Sequence, residues 1–159
     1  MATIPMYGQN KDGKALEGVA SSRGYLKITA DTTLTKADGG IIHIADSNAC
    51  AIVLPTISAD IDGLEYKFIM ANDAGGNITI TSTDSSGNFY QGTLAVNSVD
   101  ADDGFAANGT SNNIITMNAT TTGGLLGSEV NVRAVLGVGW VVWGSVYGTD
   151  ATGATPFSG

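Results

Sequence analysis

The sequence predicts an all-β fold: an antiparallel β-sandwich or jelly roll of about eight strands, preceded by an extended N-terminal arm. Three observations predict it. Short runs alternate apolar and polar residues, clusters of Gly, Asn and Asp punctuate them, and no long 3.6-residue period appears. Composition agrees. Of 159 residues, 22 are Gly and only 14% are charged, against usual shares of about 7% Gly and about 25% charged residues. Thr, Ser, Asn and Gly fill the difference. β-Branched residues suit a pleated sheet, and Gly and Asn suit tight turns. Hydrophobic residues make up 43%, enough for one domain with its own core.

Residues 1–24 differ from the rest. They have turn chemistry at Gly8 and Gly13, no sustained period, and three of the seven basic residues, Lys11, Lys14 and Arg23. They read as an arm, with Tyr7, Lys11, Lys14 and Arg23 as candidate interface residues. The apolar pattern begins at Tyr25, so residues 25–147 are the predicted β domain and residues 148–159 a C-terminal tail. Within the domain, residues 25–29 alternate. Asp38-Gly39-Gly40 turns the chain into residues 41–45. Residues 50–54 form a short apolar run stopped by Pro55.

Residues 64–70 are the clearest amphipathic strand, with Leu64, Tyr66, Phe68 and Met70 on one face and Glu65 and Lys67 on the other. Residues 77–81 alternate again after Gly75-Gly76. Residues 89–96 and 114–118 follow, with the region 84–113 the richest in loop residues. In residues 129–136, Val130, Val132, Ala134 and Leu136 share a face. A turn at Gly137-Val138-Gly139 leads into residues 140–146. Antiparallel pairing is expected, because the connections are too short for helical crossovers. The predicted core includes Tyr66, Phe68, Ile78, Ile80, Val130, Val132, Trp140 and Val142.

Charge and cysteine content exclude several functions. Seven Lys and Arg against fifteen Asp and Glu leave a net charge of -8, with no basic face to neutralise phosphates, so no nucleic-acid partner is expected. One Cys forms no internal disulfide. No apolar run approaches the ~20 residues that span a bilayer, so no membrane partner is expected. The first ten residues lack a basic region followed by an apolar stretch, so no signal peptide is expected.

Candidate chemistry is sparse. His43, between Ile42 and Ile44, reads as a strand residue facing solvent or an interface. Cys50 reads as a buried structural thiol, because no basic neighbour activates it. One His and one Cys nearly exclude a zinc site of the usual ligand type. Asp100, Asp102 and Asp103 are weak candidates for a hard cation, but the EF-hand spacing fails, since the fifth position holds Gly104 and the twelfth Ser111. A solvated acidic loop is the simpler account. No nucleophile, base and acid come together in the pattern, so neither catalysis nor a cofactor is expected. Trp140 and Trp143 lie on one strand with opposite-facing side chains. Trp140 is assigned to the core and Trp143 to an interface, together with Phe157 in the tail.

One succession of motifs carries a resemblance. Asp31-Thr32-Thr33-Leu34-Thr35 is followed by Asp38-Gly39-Gly40, then Ala51-Ile52-Val53-Leu54-Pro55 and Gly63-Leu64-Glu65-Tyr66-Lys67-Phe68-Ile69. Asn77-Ile78-Thr79-Ile80 and Gly139-Trp140-Val141-Val142-Trp143-Gly144 complete it. Over about residues 31–147 this resembles small β-structural proteins of tailed-bacteriophage virions, of the capsid-decoration (cement) type. The resemblance implies a place on the capsid surface after assembly in a bacterial cytoplasm, the major capsid protein as partner, and a homo-trimer. The arm would lie on the lattice or on a neighbouring subunit. It transfers no catalytic residue. The alternative is a receptor- or glycan-binding fibre or tail domain that uses the loops within residues 84–113.

Overall fold

The structure is a computed structural model that describes residues 24–83, 89–100 and 102–159. The arm, including Tyr7, Lys11, Lys14 and Arg23, lies outside the described residues. The chain is all-β, with a single 3-10 turn at Lys36–Asp38 among the described residues. Twelve strands follow in order: β1 Tyr25–Ile28, β2 Thr32–Thr33, β3 Ile42–Ala45, β4 Cys50–Leu54, β5 Glu65–Met70 and β6 Ile78–Ser82. Then come β7 Phe89–Asn97, β8 Asp102–Ala106, β9 Ile114–Met117, β10 Glu129–Val135, β11 Gly139–Tyr147 and β12 Phe157–Ser158.

They form two mixed sheets, consistent with a β-sandwich. The larger has seven strands in the order β1-β3-β5-β10-β11-β7-β8, and the smaller five in the order β12-β9-β6-β4-β2. One apolar cluster joins their inner faces: Tyr66, Phe68, Val130, Val132, Trp140 and Val142 from the larger sheet meet Ile52, Ile80 and Ile115 from the smaller. All eight predicted core residues are fully buried. Each large side chain so placed contributes about 1.5–3 kcal/mol through removal from water.

The expectation of antiparallel pairing holds for only half the ladders. β1–β3, β3–β5, β2–β4, β4–β6 and β7–β11 are parallel. Parallel neighbours need a crossover, and in the first four of these the crossover is a strand of the other sheet, where a helix would be usual. From β1 to β6 the chain alternates between the sheets at every step. Each return lays a new strand beside the last one in its own layer, so residues 25–82 build a ladder of three rungs. The remaining strands close both sheets with mostly antiparallel pairing, β10 on β5 and β9 on β6.

Three further expectations change. Residues 148–159, expected as a C-terminal tail, return to the fold: β12 pairs with β9, and Phe157 packs on Phe89 with ring centroids 6.3 Å apart. Asp102 and Asp103 do not lie in a loop but begin β8, which pairs with β7 through Asp103 opposite Val96. His43 does not face solvent. It is wholly buried, between Leu26 and Phe68 in the ladder, with its ring 5.1 Å from that of Phe68 and 5.9 Å from that of Tyr66.

Candidate functional site

The inner face of the seven-stranded sheet is the core, so any site on this sheet lies on its outer face. Alternation places the residues there. On β5, Tyr66, Phe68 and Met70 are buried, which turns Glu65, Lys67 and Ile69 outward. On β10, Val130, Val132 and Ala134 point in, and Glu129, Asn131 and Arg133 point out. On β11, Trp140, Val142 and Val146 point in, and Val141, Trp143, Ser145 and Tyr147 point out.

Register sets these residues in rows across the strands. One row runs Tyr25, Ile42, Lys67, Asn131, Trp143, Thr93, Ala106. Its two aromatic residues are open to solvent, Tyr25 at 69% and Trp143 at 37%. The next row runs Lys27, Ile44, Ile69, Glu129, Ser145, Ala95, Gly104.

At the centre, the charges neutralise one another. Lys67 Nζ lies 2.7 Å from Glu129 Oε2, and the Arg133 guanidinium is ion-paired with Glu65. Both pairs bridge β5 and β10. Asn131 Nδ2 donates to Glu129 Oε1 at 2.9 Å and to the Trp143 carbonyl at 3.4 Å. The Lys67 ammonium, and secondarily the Asn131 amide, hold the Glu129 carboxyl below its ordinary value. Arg133 also stacks over Trp143, with its Cζ 5.6 Å from the ring centroid. This cation–π contact and the Glu65 pair fix the guanidinium from two sides. A third ion pair, Lys27 with Asp46, lies further along the same sheet, and Asp46 raises the Lys27 pKa.

Beside this network a shallow cleft of about 300 Å³ is lined by Gly40, Ile41, Ile42, Glu65, Lys67 and Asn131. Ligand sites commonly begin near this size. Its groups can donate and accept hydrogen bonds, but no nucleophile is paired with a base there.

Of the interface residues expected from sequence, Trp143 stands in this network. Phe157 is 5% exposed and belongs to the core. The acidic candidates do not converge. Asp102 is exposed and Asp103 half-buried on successive positions of β8, so their side chains leave opposite faces. Among the described residues, no group of three or more His, Cys, Asp or Glu is placed to hold a metal ion. Cys50 is buried and unpaired, and burial, followed by the Asp31 charge, pushes its thiol pKa up.

Sequence reading missed Glu129, Asn131 and Arg133. The signal was present: they are the polar half of the alternation that marked Val130, Val132 and Ala134 as core. Their partners could not be read, because the β5–β10 pairing joins segments about sixty residues apart. No protein-family model matches the chain, and no curated protein matches it.

Proposed function

We propose that the chain is a structural virion protein of the capsid-decoration type, which binds an assembled shell of major capsid protein through the outer face of the seven-stranded sheet. The observation that carries this reading is the self-neutralised centre of that face. Burying an unpaired charge at an interface costs several kcal/mol. Here Glu65, Lys67, Glu129 and Arg133 arrive already paired, and Trp143 is held in place by Arg133. Such a face can be covered by a partner without stranding a charge, and a fixed aromatic side chain is a common energetic anchor of interfaces. A protein that binds the assembled shell more tightly than its free subunits stabilises the shell by mass action. Association as a homo-trimer on the shell belongs to the same proposal.

Co-sedimentation with shells assembled from the major capsid protein tests it. The unaltered chain is expected to pellet with shells and stay in solution with unassembled subunits. Trp143→Ala is expected to weaken binding at least about tenfold, or ~1.4 kcal/mol, with an unchanged circular dichroism spectrum. Equal binding by the variant overturns the assignment of this face.

The cleft beside Trp143 supports a second reading, a glycan-binding fibre or tail domain. Glu65, Lys67 and Asn131 offer the convergent polar groups that orient a sugar. Glycan binding that vanishes with Asn131→Ala, without any affinity for shells, favours this reading.

A further inference from the structure

The seven-stranded sheet ends on β1 at one side and β8 at the other. The smaller sheet ends on β2 and β12, which at two residues each are too short to guide another strand. In an edge strand, alternate residues turn their main-chain groups to the one neighbour. On β1, the Ile42 amide donates to the Gly24 carbonyl at 3.4 Å and the Asp46 amide to the Ile28 carbonyl at 2.8 Å, so the even-numbered residues face β3. On β8, the Ala107 amide donates to the Gly92 carbonyl at 3.3 Å, one step beyond the Thr93–Ala106 pair, so the odd-numbered residues face β7. Tyr25 and Lys27 on one edge, and Asp102, Gly104 and Ala106 on the other, therefore turn their main-chain groups outward. These groups meet no partner among the described residues. Edges of this kind attract further strands.

We propose that these two edges pair with each other between copies of the chain, β1 of one copy against β8 of the next. The inference stands whether or not the outer face binds a shell. Charge selects the pairing. β8 carries Asp102 and Asp103, and β1 carries Lys27. In a chain of net charge -8, β8 against β8 sets two acidic edges on each other, and β1 against β1 brings two Lys27 side chains to one seam. Only β1 against β8 joins opposite charges. Lys27 can serve both partners. Its ammonium holds Asp46 and keeps further N–H groups to donate, and its side chain is 55% exposed.

Strand direction fits the same pairing. β3 and β5 run parallel to β1, β10 runs against them, β11 and β7 run with them, and β8 is reversed. A second copy set beside the first in the same orientation therefore brings its β8 antiparallel to β1, the more stable arrangement. Two registers match open groups with open groups. Either Lys27 faces Asp102 and Tyr25 faces Gly104, or Lys27 faces Gly104 and Tyr25 faces Ala106. In both, Lys27 lies opposite or diagonal to Asp102, within reach of its carboxylate. Tyr25 likewise lies opposite or diagonal to Gly104, whose bare main chain an aromatic ring can cover. The outer faces of the two copies stay continuous. The pairing is head to tail, so it closes as a ring or runs on as a filament.

Sedimentation velocity and amide hydrogen exchange on the full-length protein test the proposal. As concentration rises and species larger than one chain appear, the Tyr25, Lys27, Gly104 and Ala106 amides are expected to slow together, at least about tenfold. Gly104→Pro removes an outward N–H from β8 and Lys27→Pro one from β1, and the sheet uses neither. Each variant alone is expected to stay a monomer. An equimolar mixture is expected to form one-to-one dimers through the edge each leaves open. Retained protection at Phe68 and Val132 shows that the variants are folded. Asp102→Lys, which leaves the main chain unchanged, is expected to weaken association at least about fivefold. Edges unprotected at every concentration overturn the proposal. Protection of Tyr25 and Lys27 in the monomer also overturns it, and gives that edge to the chain itself. Association of either proline variant alone overturns it in favour of like pairing with like, and undiminished association of Asp102→Lys removes its charge basis and overturns it as well.

Discussion

Residues 25–82 and residues 89–158 build the same two sheets by different means. The first part alternates between sheets at every strand, and all its internal ladders are parallel. Its strands are short, at most six residues. No two consecutive strands pair, so each must wait for a distant partner. The second part holds the two longest strands, β7 and β11, at nine residues each. It also holds two hairpins of adjacent strands, β7–β8 and β10–β11. The difference teaches where the candidate site comes from. The outer face is continuous only because β10 of the second part pairs with β5 of the first, and the two central ion pairs lie across that junction.

The largest effect is expected at the junction itself. Phe68 lies opposite His43 of the ladder and Val130 of the second part, and it is fully buried. Phe68→Ala is expected to cost about 3–5 kcal/mol. Urea unfolding followed by Trp fluorescence, which reports the second part, and by exchange at Ile44, which reports the ladder, should show both parts weakened together. Separate transitions would break the picture of a shared core.

A somewhat smaller loss is expected from Gly92→Ala, confined to the second part. Gly92 has φ +119, and a Cβ there would lie 1.6 Å from the Val142 carbonyl oxygen. The main chains of β7 and β11 must separate to admit it, at a cost of ~3 kcal/mol. Thermal unfolding measures the loss. Exchange should be accelerated in β7 and β11 and little changed in β3.

The ladder has its own signature, in pH. Burial lowers the His43 pKa below its ordinary 6.5, against the opposing effect of the Lys67 carbonyl, which lies 3.2 Å from Nδ1. Asp38 also favours the charged form, and Tyr66, whose hydroxyl bonds to the Thr35 carbonyl, stacks beside the ring. Above pH 6.5 both folded and unfolded chains carry a neutral imidazole. As pH falls through 6.5, the unfolded chain takes up a proton that the folded chain refuses, so stability falls. Denaturation curves at pH 7.5 and 5.5 should show the loss, and His43→Phe should remove the His43 share of it.

The smallest effect on folding is expected at Arg133. Its pair with Glu65 is half exposed, so Arg133→Ala should cost at most about 1 kcal/mol, read from the urea midpoint. The same variant frees Trp143 from its cation–π contact and should weaken shell binding more than folding.

The legibility of the sequence divides along the same line. β5, β6 and β10 were readable because one face is apolar and the other polar, as with Tyr66 and Phe68 against Glu65 and Lys67. Parallel pairing was not readable, because alternation is a local property and says nothing about which strand lies alongside. His43 shows the consequence. β3 has Ile42 and Ile44 on one face and His43 and Ala45 on the other, so polarity alone turns the histidine outward. Pairing with Phe68 turns it inward. For the site, Trp143 was legible from its position opposite Trp140. The Glu65–Arg133 and Lys67–Glu129 pairs were not, because they exist only once β5 and β10 meet.

The central claim is that this outer face is the surface that docks. Hydroxyl-radical footprinting of the protein free and bound to shells tests it most directly, because Tyr25, Trp143 and Tyr147 are exposed on the face while Val99 and Leu126 are exposed on loops elsewhere. The account predicts that oxidation of the three aromatic residues falls at least about fivefold on binding, with Val99 and Leu126 unchanged. Protection of Val99 or Leu126, with the three aromatic residues oxidised as in the free protein, would contradict it.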